Sequence, residues 1–222
     1  MKGSFRLGPD GVYRCDPFQH FIWQEHGFGT RSGNPPVNIT LRQVHSARVV
    51  VANGIRDREE EGDALVTDEL RQAIGIRTAD CVPILLLDIA RRVIGAVHAG
   101  WRGTAAEIAK RTVERMSETF HSKPSDIYAA IGPCIRNCCY EVGPEVADKL
   151  SSTFPEWREE EAGRRKLDLT EANCRHLRAA GIPDEHIFDS GLCTTCQTAD
   201  FYSYRREPQN PGRMVASISR LA

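Results

Sequence analysis

The segment from residue 82 to residue 98 constrains the fold more than any other. It holds two apolar runs, 82–88 and 92–98, joined by Ile89, Ala90 and Arg91. A three-residue link is too short for a crossover, so the pair predicts an antiparallel hairpin. With Asp88 opposite Arg92, Cys81 falls opposite about Ala99, and Cys81 and His98 sit at the same open end, one position out of register. Their side chains then lie within the roughly 4.5–7 Å of neighbouring cross-strand positions. A thiolate and an imidazole so placed suit Zn2+ or copper, or form a Cys–His nucleophile pair. Each residue also has a plainer reading: Cys81 as a small core side chain, His98 as a hydrogen-bonded surface group. A third ligand is available in His45, and Gln43 shares its face in any strand, which makes Gln43 a candidate substrate contact.

Around the hairpin the chain alternates strands and helices without a strict βαβ rhythm. The first 35 residues predict short strands and turns, and residues 49–52 (VVVA) a strand. The run RDREEEGD at 56–63 predicts a charged surface loop. A helix is expected over 105–120, opened by a capping box of Thr104 and Glu107. Further helices are expected over 144–154 and 170–180, and strands over 127–131, 187–189 and 213–218. The pattern predicts an α+β domain of mixed sheets covered by helices, spanning residues 1–222 as one unit.

Charge excludes some functions. With 29 basic and 30 acidic residues, the net charge of −1 provides no nucleic-acid or polybasic membrane footprint. The longest apolar run, 82–87, is six residues, against the roughly 20 that span a bilayer. The N-terminal stretch lacks an apolar signal core, so a cytoplasmic protein is expected, with its eight cysteines reduced or bound to metal. There is no H-E-x-x-H, no deaminase H-x-E with P-C-x-x-C, and no H-x-H pair of the conventional laccases. A zinc held by Cys138, Cys139, Cys193 and Cys196 is disfavoured, adjacent cysteines being poor chelators. These thiols and Cys134 are expected mostly in the core.

Six motifs in order extend this reading. They are Gln43-Val44-His45-Ser46, Thr78-Ala79-Asp80-Cys81-Val82-Pro83, His98-Ala99-Gly100-Trp101-Arg102-Gly103, Gly132-Pro133-Cys134-Ile135, Cys138-Cys139-Tyr140-Glu141-Val142, and Cys193-Thr194 followed by Tyr202-Ser203-Tyr204-Arg205-Arg206. Together they resemble the YfiH/YlmD family, the laccase-domain or multicopper polyphenol oxidase-like proteins later assigned as purine nucleoside phosphorylases. The resemblance covers about residues 27–213 and implies a single-domain α/β/β/α four-layer sandwich with mixed sheets. It implies a metal set of His45, Cys81 and His98, holding Zn2+ or copper. The implied activity is phosphorolysis of adenosine, inosine, guanosine and methylthioadenosine, with adenosine deamination, by a monomer or homodimer whose partners are purine nucleoside and phosphate. Gly27-Phe28-Gly29-Thr30-Arg31 looks like the family's early F-x-T-R segment, but only 13 residues separate Arg31 from His45, where most members carry a longer insertion.

Phosphorolysis needs an anion site. The loop Gly100-Trp101-Arg102-Gly103-Thr104 before a helix provides backbone N–H groups and a guanidinium, as a phosphate cradle or simply as a tight turn. Arg31 and Arg205 are further candidate anion contacts. Asp80, on the opposite strand face from Cys81, is expected to be structural, and Asp63 is left open between the two roles. The other chemistries these residues allow are a copper polyphenol oxidase, a Cys81–His98 hydrolase and a non-enzymatic metal-binding module.

Overall fold

The computed structural model describes residues 5–155, 165–209 and 212–222. The strands are β1 (Phe5–Leu7), β2 (Tyr13–Cys15), β3 (Gln24–Phe28), β4 (Val49–Val51), β5 (Ala64–Thr67), β6 (Ala73–Thr78), β7 (Val82–Asp88), β8 (Ile94–Ala99), β9 (Ile127–Ile131), β10 (Glu141–Val142), β11 (Arg165–Lys166), β12 (Ile187–Asp189) and β13 (Met214–Arg220). The helices are α1 (Asp16–Gln19), α2 (Trp101–Ala105), α3 (Ile108–Phe120), α4 (Pro144–Lys149) and α5 (Leu169–Ala179).

The hairpin β7–β8 is the centre of a six-stranded sheet ordered β12-β9-β7-β8-β5-β4. Its outer pairs β12–β9 and β4–β5 are parallel and the rest antiparallel. The second sheet, β1-β2-β3-β13-β6, is antiparallel throughout. Every residue of β7 and β8 is buried, which explains an apolar run without alternation: both faces of this hairpin are covered. Leu85 and Leu87 face the second sheet, packing with Leu65, Ile74, Ile76 and Ile218. Their neighbours Ile84 and Leu86 point the other way, into a cluster with Ile108, Val113 and Met116 of α3 and Leu177 of α5. The mixed α/β architecture expected from the sequence is therefore present, with helices on one sheet and that sheet stacked on another. Beside the second sheet lies the single turn α1, next to β2.

The details differ where local chemistry overrides pattern. In the hairpin, Val82 rather than Cys81 faces Ala99. The Asp88 carboxylate accepts the N–H groups of Ala90 and Arg91, both at 2.9 Å, and Arg92 takes a left-handed φ of 56°. The turn thus absorbs Arg92 and Val93, and β8 begins at Ile94. The helix expected over 105–120 is two helices, broken at Glu107, whose φ is 59° and whose side chain caps nothing. The capping box fails because Thr104 already lies inside α2, where its hydroxyl accepts the Asn173 amide at 3.0 Å. Helix α4 stops at Lys149, short of the expected 154. Asp168 caps α5 by accepting the Glu171 N–H at 2.9 Å, so the helix opens at Leu169, one residue before the expected 170. Among the described residues no helix is long and apolar enough to cross a membrane.

The layered core predicts its own response to truncation. Leu85→Ala, in the seam between sheets, is expected to lower stability by about 2–5 kcal/mol. Leu70→Ala, at an exposed position, is expected to stay within about 0.5 kcal/mol of the parent. Urea unfolding followed by circular dichroism measures both.

Candidate active site and metal centre

The site is organised by a carboxylate the charged-loop reading left undefined. Asp63 closes the segment 56–63, immediately before β5, and is fully buried. Its Oδ1 accepts the His45 N–H at 3.0 Å and the His98 Nδ1 at 2.9 Å. Its Oδ2 accepts the N–H groups of Val44 (3.3 Å) and Ser46 (2.6 Å) and the Ser46 hydroxyl (2.7 Å). Its backbone carbonyl accepts the His98 N–H at 2.7 Å. One side chain thereby fixes the loop that carries His45 to the strand that carries His98. His45 itself sits at a φ of 58°, a left-handed backbone that β-carbon-bearing residues seldom adopt and that tends to occur at functional sites.

His45, Cys81 and His98 offer ligand atoms all within 4.8 Å of one another. The two imidazoles meet edge-on with centroids 4.9 Å apart. The hairpin places Cys81 and His98, as the sequence suggested, and the Asp63 loop delivers His45. Gly100 packs closely on the trio: a β-carbon there would lie 3.1 Å from both Cys81 Sγ and His45 Cδ2, so these side chains would have to give by a few tenths of an ångström. Gly103 is likewise constrained, its β-carbon position being 2.9 Å from the Ser46 carbonyl. Both glycines of the G-W-R-G motif therefore sit where the backbone passes close to the His45 loop or the trio.

Charge follows from the same contacts. Burial works to raise the Asp63 carboxyl, but the hydrogen bonds from His98 and Ser46 outweigh it and hold it down at about 2. Burial works to discharge His98, yet Asp63 and Cys81 keep it protonated up to about 9. Burial also opposes the Cys81 thiolate, while His45 and His98 bring the thiol down to about 6. Without metal the trio is therefore a thiolate–imidazolium pair at neutral pH. The donor set suits a borderline-soft cation such as Zn2+ or copper. His98 has the carboxylate partner on Nδ1 that orients metal-binding histidines.

Asp80 plays the matching part on the other wall. At a φ of 89° it accepts the Thr194 hydroxyl (2.6 Å), the Ser203 hydroxyl (3.0 Å) and the Arg205 N–H (2.7 Å). Its oxygens are engaged with the loop after β12.

The trio lies in a cavity of about 760 Å3. Aromatic and apolar walls come from Trp101, Tyr140, Tyr204, Leu41, Ile135 and Leu169, and five arginines face it: Arg58, Arg77, Arg102, Arg205 and Arg213. Burial, with Cys81 nearby, pushes the Tyr140 phenol up to about 12, so it stays a donor. Arg102 lies over the Trp101 ring at 4.4 Å. Arg205 donates to the Glu141 carbonyl at 3.1 Å and packs over Tyr140. Gln43 lines the cavity, but both ends of its amide bond the backbone of Arg77 at 2.8 Å, so it positions that arginine. Arg31 departs from expectation. It lies outside the cavity lining, held by Glu207 at 2.8 and 2.9 Å and stacked on Tyr202 at 4.4 Å. Cys134 is buried as expected. Cys138 and Cys196, expected in the core, are exposed. Tyr140, Tyr204 and Trp101 stood inside the quoted motifs, whereas nothing in the sequence singled out Arg58, Arg77 or Arg213.

Comparison with known proteins identifies the family and the fold. Residues 26–221 match the family model described as multi-copper polyphenol oxidoreductase laccase. Over 163 residues, 71% of this chain, the sequence is 46% identical to purine nucleoside phosphorylase YlmD of Geobacillus stearothermophilus; the match spans 60% of that relative's length. It is 39% identical over 193 residues to adenosine deaminase RL5 from an unknown prokaryotic organism, covering 81% of this chain and 73% of the relative. The crystal structure of the hypothetical protein YfiH of Bacillus licheniformis superposes with a TM-score of 0.88 at 30% identity, covering 98% of this chain and 99% of that one.

Asp63→Asn tests the keystone. Losing the carboxylate withdraws the partner that keeps His98 cationic, so the Cys81 thiolate loses its own cationic neighbour. In metal-free protein the thiolate absorbance, expected to rise through pH of about 6, should move up toward the ordinary thiol value of 9.0. Zinc affinity should fall about 10–100-fold. An unmoved thiolate step would contradict the arrangement.

Proposed function

This chain belongs to the multi-copper polyphenol oxidoreductase laccase family, and from that premise we propose that it is a zinc-dependent purine nucleoside phosphorylase with adenosine deaminase activity. The relatives bearing those two names support the reaction class. The observation that carries the reading is the charge of the cavity. Five arginines face it, Arg58, Arg77 and Arg102 among them forming no ion pair with the described residues. Among the described residues of the lining the one carboxylate, Asp80, is engaged on both oxygens. Such a wall recognises an anion.

Phosphorolysis joins a phosphate oxygen to ribose C1′ as the bond to the purine nitrogen breaks, and the departing base takes up a proton. Arg102, Arg77 and Arg205 clamp the phosphate and lower its cost of approach to the sugar. Trp101, Tyr140 and Tyr204 enclose the flat base, with the Tyr140 phenol protonated and able to donate to it. His45, Cys81 and His98 would hold the metal, which supplies a Lewis acid for polarising an oxygen or activating water in deamination. Asp63 keeps His98 in the tautomer that leaves Nε2 free for that purpose. Adenosine, inosine, guanosine and methylthioadenosine are the proposed substrates.

A second reading, a copper polyphenol oxidase, is favoured by the donor set, since two imidazoles and a thiolate suit copper as well. A phenol makes no use of the arginine wall. A third, a Cys81 nucleophile with His98 and Asp63, uses the thiolate but leaves His45 without a role.

Purified protein is expected to release hypoxanthine from inosine only when phosphate is present, and to lose the activity to a chelator. Arg102→Ala should raise the phosphate KM about 10- to 100-fold, as for one charge-assisted contact, with a smaller effect on inosine KM. No release with zinc supplied refutes the reading. Oxygen uptake with a phenol after copper loading would favour the oxidase, and inactivation by iodoacetamide with resistance to chelation the hydrolase.

A further inference from the structure

A second cluster lies apart from the trio, in residues the catalytic reading leaves unused. Cys138 and Cys139 follow β9, and Cys193 and Cys196 follow β12. Their four sulfur atoms all lie within 4.8 Å of one another. Cys138 Sγ is 3.7 Å from each of the other three that it meets, Cys139, Cys193 and Cys196, and Cys139 is 3.3 Å from Cys196. Four thiolates at Zn–S bonds of about 2.3 Å stand about 3.8 Å apart at the corners of a tetrahedron. A disulfide needs about 2.05 Å between one pair and would leave the other two sulfurs elsewhere. Separations of 3.3–3.7 Å fit four thiolates around one ion better than a single disulfide.

The objection that neighbouring cysteines chelate poorly holds for an extended chain, where they point apart. Here the backbone turns: the N–H groups of Cys139 and Tyr140 both donate to the Arg136 carbonyl at 2.9 Å. That turn brings both sulfurs to one side. The Cys193-x-x-Cys196 half closes in the same way, with the Gln197 N–H donating to the Cys193 carbonyl at 3.0 Å.

We propose that Cys138, Cys139, Cys193 and Cys196 form a four-thiolate site for a structural zinc ion, separate from the His45–Cys81–His98 centre. Its role follows from what it ties together. The two loops already touch through a bridge between Cys134 and Cys193. The first carries Tyr140 into the cavity, and the second carries Tyr204 and Arg205. Thr194, between two of the ligands, bonds Asp80 beside Cys81. The ion therefore clamps one wall of the cavity from behind and takes no part in chemistry.

Two measurements test this. In the Cys81→Ser/His98→Ala variant, which lacks the first centre, one cobalt ion per chain should still bind and show the intense visible and near-ultraviolet bands of tetrahedral Co–S4. Adding Cys138→Ser and Cys196→Ser should abolish them. Wild-type protein, equilibrated with zinc and freed of excess, needs no variant. Iodoacetamide mapped by mass spectrometry should spare the exposed Cys138 and Cys196 until a chelator is added. Immediate alkylation of both, absence of the Co–S4 spectrum, or a disulfide among the four in protein kept anaerobic would each overturn the proposal. Because the readouts are metal content and thiol protection, they stand whether or not the protein cleaves inosine.

Discussion

A single buried carboxylate carries the architecture of this site. Asp63 has no solvent, accepts five hydrogen bonds through its side chain and pairs with His98 through its backbone as well. A buried anion without such partners would cost several kcal/mol or take up a proton. Here the partners are the functional elements themselves, so the group that must be satisfied is also the group that sets the geometry. The loop at 44–46 bends over Asp63, and His45 is held in a left-handed conformation that it would not choose alone. The cost of such a backbone, of order 1–3 kcal/mol, is offset by the contacts Asp63 provides.

Asp80 repeats this logic across the cavity, joining the Cys81 strand entry to the loop at 194–205. Two anchoring carboxylates, each next to a candidate metal ligand or bonded to one, leave a cavity whose described lining carries five arginines beside the His45, Cys81 and His98 trio. That division explains how a chain of net charge −1 lines a cavity with guanidinium groups. Asp63 and Asp80 are turned into the framework, and the guanidinium-bearing residues line the cavity. The stacked sheets beneath provide the rigidity, since β7 and β8 are packed on both faces and cannot shift without opening one of two apolar clusters.

Much of this was legible in the chain. An apolar run, a short link and a second apolar run could form only a hairpin, and that alone set Cys81 near His98. The one-residue difference in pairing arose because Asp88 bonds the turn's N–H groups and draws Arg92 out of the strand. The capping box at Thr104 and Glu107 failed for a similar reason: a tertiary partner, Asn173, had a better claim on Thr104. Sequence alone makes Arg31 a candidate anion contact, because an arginine's partner, here Glu207 some 176 residues away, is invisible to local pattern. The roles of Asp63 and Arg77 depend on loops whose course no periodicity describes. In sequence the cysteine quartet is disfavoured because adjacent cysteines chelate poorly in an extended chain, and only the two turns at 136–140 and 193–197 bring its sulfurs together.

The central claim is that His45, Cys81 and His98 form one metal site held by Asp63. Anomalous diffraction from crystals of zinc-loaded protein, recorded on both sides of the zinc absorption edge, tests it most directly. The account predicts a peak bonded to the two imidazoles and the Cys81 sulfur, with the His98 Nδ1 still on Asp63. Crystals with no density among those three side chains, from protein that cleaves inosine at full rate, would contradict it.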